Sequence, residues 1–111
     1  MIRLAAAIWT LAIVVACLLP GSDIPTWEFL PLSVDKVVHL AMFFGFGALW
    51  AQSAPGRMQA VFWSGLALGV AIELLQGALP IGRSMDPLDA LADLVGLGLG
   101  MALVRWTRRT A

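Results

Sequence analysis

Four apolar runs, at about residues 4–19, 36–51, 58–79 and 87–106, are set apart by breaks that carry proline, and this spacing leaves few folds open to the chain. A helix crossing a bilayer needs about 20 predominantly apolar residues at a rise of about 1.5 Å each, so 111 residues allow four crossings and little else. With 60% hydrophobic and 13% charged residues, the chain has too little polar surface to cover a soluble domain of its size. The expected fold is an all-α membrane protein, one domain over residues 1–111, with four transmembrane helices. A formal charge of zero removes the basic surface that nucleic acid requires. The single cysteine, Cys17, excludes an internal disulfide and a multi-cysteine metal site.

The breaks differ in kind. Residues 20–34 carry Pro20, Pro25 and Pro31 together with Trp27 and Phe29, which suits a short interfacial loop after the first helix. Residues 52–57 contain Pro55-Gly56 and read as a tight turn. After Pro80 the chain reaches Asp86-Pro87, where Asp86 suits the N-cap, Pro87 the first helical residue and Asp89 the first turn. The first run also has the look of a signal peptide, and Val14-Val15-Ala16-Cys17 that of a lipobox. The residues after Cys17 stay apolar, so an uncleaved helix is expected.

Arg3, Arg57, Arg105, Arg108 and Arg109 fall on one side of a four-span topology, and Lys36 and Arg83 on the other. Positive residues gather on the cytoplasmic side, which predicts both termini inside. The polar residues of the remaining side are Asp35, Lys36, His39, Glu73, Gln76, Arg83, Asp86, Asp89 and Asp93. At 100° per residue, Gly65, Gly69, Glu73 and Gln76 share one face of the third helix, and Asp86, Asp89, Asp93, Gly96 and Gly100 one face of the fourth. Glycine permits close approach of helices in lipid, so the third and fourth helices are expected to touch along Gly65, Gly69, Gly96 and Gly100. The second helix has Asp35 and His39 on one face and Ala41, Gly45 and Ala48 on the other, and can pack on both sides. Glu73 and Asp93 each lie six residues from the outer end of a helix, at a matched depth of about 9 Å.

Intramembrane acids are costly and mark either a site or a fastening between helices. His39 with carboxylates would suit a metal, but no ligand spacing such as HExxH is present, and neither a metal nor a cofactor is expected. A serine nucleophile elbow and a phosphate-binding glycine loop are absent as well.

Asp35-Lys36-x-x-His39, then Glu73-x-x-Gln76, then Gly82-Arg83 followed by Asp89 and a helix bearing Gly96, resembles the VanZ-like family of small bacterial membrane proteins, over about residues 33–100. The family pattern usually has asparagine where this chain has Asp93. The resemblance implies a multi-pass protein of the bacterial cytoplasmic membrane tied to the cell envelope, whose founding member is associated with resistance to teicoplanin. The function expected first is binding of an amphiphile, namely a lipid headgroup, a lipid-linked envelope precursor or the antibiotic itself, in an outward polar cleft. Lys36 and Arg83 would hold its anionic groups there. The alternatives are a membrane-embedded enzyme that uses Glu73 or Asp93 as general base with His39, a purely structural helix-packing or partner protein, and an ion path. Against the last, the inner halves of the second to fourth runs lack ionisable residues apart from their ends. Homo-oligomerisation is left open by the sequence.

Overall fold

In a computed structural model the described residues are 1–18, 33–80 and 87–110, and they form four helices: α1 (Ile2–Leu18), α2 (Ser33–Ser53), α3 (Met58–Ala78) and α4 (Pro87–Thr110). No strand occurs among them. The interfacial loop expected at 20–34, with Trp27, lies outside the described residues except at its last two positions, which already belong to α2.

Proline sets the helix boundaries. The residue before a proline is pushed out of the α region by the ring, and Ala54, with φ −136° and ψ 64°, ends α2 ahead of Pro55. The expected tight turn is a single 3-10 turn over Pro55–Arg57, closed by Arg57 N donating to Ala54 O at 3.0 Å. Leu79, extended at φ −84° and ψ 145°, ends α3 ahead of Pro80 in the same way. Pro87 opens α4, where its missing N–H costs nothing, and Asp89 sits in the first turn beside the free amides of the helix start.

Helix α2 is central and packs against all three others. Its contact with α4 is the most extensive, and backbone meets backbone there. A Cβ at Gly96 would collide with the Leu40 carbonyl, one at Gly100 with the Phe44 carbonyl, and one at Gly47 would stand 2.5 Å from Leu97 O. This corrects the expected partner of the α4 glycines, which is α2 rather than α3. The α3 stripe does face α4: Gly65 lies under the Leu97 methyls and Gly69 beside the Asp93 carboxylate. Periodicity assigns each glycine to a face, but the tilt of α4 across two neighbours decides which helix that face meets.

On its other side α2 receives α1, as two-sided packing requires. Gly45 makes room for the Trp9 indole, whose Nε1 donates to Met42 O at 2.7 Å. Trp50 Nε1 donates to Thr10 Oγ1 at 2.9 Å, and Thr10 Oγ1 in turn donates to Ala6 O. Ile13, Cys17, Phe43, Phe46, Ile72 and Leu97 form the buried core from all four helices. α1 is therefore built into the bundle, with Cys17 inside it.

The exterior is apolar. Trp63, Leu74, Leu91, Leu99, Leu103 and Trp106 all point outward, an outer surface that lipid tolerates and water does not. Pro55–Ala78 and Pro87–Arg109 are long and apolar enough to cross a membrane, while Ile2–Leu18 is apolar but shorter.

Candidate functional site

The end of α1, the starts of α2 and α4, and the end of α3 come together at one end of the bundle. The register of α4 on α2 brings His39 to Asp93, with Nδ1 at 2.9 Å from Oδ1. One turn nearer the helix start, Lys36 Nζ donates to Asp89 Oδ1 at 3.3 Å. The two pairs are linked by His39 Nε2, 3.8 Å from Asp89 Oδ2. The imidazole thus has the Asp93 carboxylate at hydrogen-bond distance from Nδ1 and the Asp89 carboxylate, one turn of α4 earlier, in looser ionic reach of Nε2.

Glu73 enters from α3. Donor atoms of His39, Glu73 and Asp93 all lie within 4.8 Å of one another, and the three residues are 2%, 4% and 2% exposed. The matched depth expected for Glu73 and Asp93 is what allows this. Gly69, one turn from Glu73, gives Asp93 its space: a Cβ there would stand 3.3 Å from Asp93 Oδ2. A cavity of about 20 Å³ adjoins the same place, bordered by Gly65, Gly69, Ala90, Asp93 and Leu94. The group is sheltered but has a rim, because the Lys36 side chain remains 31% exposed.

Gln76 is near this group in sequence but works elsewhere. Its Nε2 donates to Cys17 O at 2.8 Å. The last carbonyls of a helix have no partner within the helix, and Gln76 supplies one for α1, tying it to α3. Of the remaining candidates, Arg83 and Asp86 lie outside the described residues, as does the Asp35 side chain, although Asp35 itself is in α2.

The opposite end is basic. Arg3 and Arg57 border one cavity there, and Arg105, Arg108 and Arg109 border another beside Pro55. Arg108 Nη2 donates to Gln52 O at 3.0 Å. The division of charge read from the sequence is thus a division between the two ends of the bundle.

The gathering of His39, Glu73 and Asp93 at one end of the bundle is legible in the sequence, while the distances between donors on three different helices are not. Two hydrogen bonds have no counterpart in the sequence reading. The bonds from Trp9 and Gln76 to main-chain oxygens end on acceptors that every residue carries, which leaves no signal in the side-chain pattern.

A small apolar helical bundle with a sheltered imidazole–carboxylate group at one end and arginines at the other is the class of protein that fold and site define. The chain matches the VanZ/LLP1 family over residues 4–108 and belongs to that family. Among curated proteins and among solved structures, none matches it.

Proposed function

We propose that this VanZ-family protein is a four-span protein of the bacterial cytoplasmic membrane, with both termini in the cytoplasm. In this reading its polar end opens outward and binds the headgroup of an amphiphile: a membrane lipid, a lipid-linked envelope precursor or a glycopeptide antibiotic. Such binding contributes to antibiotic tolerance. The observation that carries the reading is the partly exposed Lys36 side chain at the rim of a polar group drawn from three helices, at the end opposite the arginines. An ammonium at a rim offers three donors to phosphate or carboxylate, while the carboxylates behind it accept from hydroxyls and amines. Asp89 holds that ammonium in place.

The test uses a teicoplanin-sensitive bacterium and the full chain. Lys36→Met and Arg83→Met are expected to abolish tolerance and to weaken binding of a lipid-linked precursor by tenfold or more, at unchanged abundance in the membrane. Full tolerance and unchanged binding in both variants would overturn the reading. A reporter active only outside the cytoplasm, fused after Ala111, should stay silent, and a strong signal would reverse the orientation.

A second reading is favoured by one distance. An imidazole 2.9 Å from a carboxylate is the arrangement a general base uses when a third group orients it. Turnover of a lipid-linked substrate by the purified protein, lost in His39→Gln, would make it an enzyme.

A further inference from the structure

We infer that His39, Glu73 and Asp93 form a binding site for one divalent transition-metal ion, with Asp89 and Lys36 as its outer support. The inference goes beyond the amphiphile reading and does not depend on it.

The donor set comes first. One imidazole nitrogen and two carboxylate oxygens suit zinc, manganese or iron in the divalent state. Imidazole favours zinc and iron, and carboxylate oxygen accommodates all three. The donors come from α2, α3 and α4, so an ion would join three helices at one point. The geometry is near what an ion needs. His39 Nδ1 and Asp93 Oδ1 are 2.9 Å apart, close to the roughly 3 Å between neighbouring donors on bonds of about 2.1 Å. The donor separations, up to 4.8 Å, must close to about 3.4 Å, the spacing of tetrahedral donors on such bonds. Rotation of the Glu73 side chain supplies a change of that size.

The second line of argument is the support around the imidazole. A metal-bound histidine as a rule donates its other ring N–H to a carboxylate or carbonyl, which fixes the tautomer and the ring plane. With Nδ1 on the ion the proton resides on Nε2, and Nε2 faces Asp89 Oδ2 at 3.8 Å. Asp89 is itself anchored by Lys36. Asp89 is a positioning residue in this assignment and makes no bond to the ion.

Charge is the third. Among the described residues the group holds three acids, Glu73, Asp89 and Asp93, against Lys36 and one imidazole, a formal −2 with the ring neutral. Carboxylates this far from water are costly when charged and need a compensating charge nearby. A divalent ion bound by Glu73 and Asp93 would place positive charge at the point where the two carboxylates approach. Three protein donors also leave at least one coordination position for water or a ligand. The 20 Å³ cavity beside Asp93 has room for about one water.

His39 is the single histidine of the sequence, which makes the assignment testable without any substitution. The full chain, carrying no histidine tag, is purified in detergent, stripped with chelator and titrated with Zn²⁺ and Mn²⁺ in the absence of any amphiphile. The expected result is one ion per chain. X-ray absorption of the zinc-loaded wild type should show one imidazole with oxygen donors and no sulfur, and binding should raise the thermal midpoint. Glu73→Gln and Asp93→Asn, which keep size and hydrogen bonding, should each lower affinity at least tenfold and remove the thermal shift, with helical circular dichroism unchanged. Asp89→Asn should lower affinity by 10- to 100-fold while the imidazole signature remains. Absence of stoichiometric binding by the wild type, an ion without imidazole among its ligands, or unchanged affinity in Glu73→Gln would overturn the site. Because the titration contains only the metal, its failure leaves the Lys36 binding experiments to be judged separately.

Discussion

The two ends of this bundle hold charge by opposite means. At one end His39, Glu73, Asp89 and Asp93 are buried and set against each other at fixed distances. At the other, Arg57, Arg105, Arg108 and Arg109 are exposed, and Arg108 reaches a main-chain oxygen. A guanidinium at a helix end lies close to the carbonyl dipoles and to water, and needs no companion to remain charged. A carboxylate between helices needs a companion at every step. The difference teaches that one end depends on the arrangement of three helices, while the other depends only on where the helices stop.

The largest effect expected from breaking this contrast is at His39. His39→Leu leaves Asp89 and Asp93 facing an apolar group and should cost about 3–5 kcal/mol, measured as the unfolding free energy of the detergent-solubilised protein. A cost below about 1 kcal/mol would mean that the acids do not depend on the imidazole. Gly96→Ala should follow, at about 1–3 kcal/mol, because its new methyl meets the Leu40 carbonyl and backbone cannot step aside. Gly69→Ala sharpens the same point: its nearest neighbour is the movable Asp93 carboxylate, so the cost should be smaller than at Gly96 in the same assay. Gln76→Ala should cost about 1–2 kcal/mol by leaving the Cys17 carbonyl without its donor, and should loosen α1 alone, read as faster amide exchange confined to residues 2–18. The smallest effect is at the basic end, where Arg108→Ala should leave the unfolding midpoint unchanged. A large loss there would erase the distinction between the two ends.

The sequence reveals much of this architecture because proline and apolar length are one-dimensional signals. Pro55 and Pro80 stop α2 and α3, and Pro87 starts α4, where the chain says they should. Glu73 and Asp93 meet because equal counting from two helix ends gives equal depth. The choice between neighbours is less legible. Gly96 and Gly100 share a face with Asp93, yet that face is wide enough for the carboxylate to reach both His39 of α2 and Gly69 of α3 while the glycines press on α2 alone. Gln76, assigned by its face to the polar group, serves a carbonyl of α1, since a helix end is an acceptor that no residue type records. Family membership was visible in polar residues on apolar helices, and the match extends it from about 33–100 to 4–108, which takes in α1.

The pairing of His39 with Asp93 also has a consequence in time. The partners are 54 residues apart, and a ribosome adding about 5–20 residues per second makes the second roughly 3–11 s after the first. Throughout that interval α2 already exists and the carboxylates of α4 do not. His39 and Lys36 must therefore wait near water or a chaperoning surface until α4 arrives. The polar end is completed only once α4 is made, and a chain cut short before α4 would leave behind a helix whose imidazole and ammonium have lost the acids they were positioned to meet.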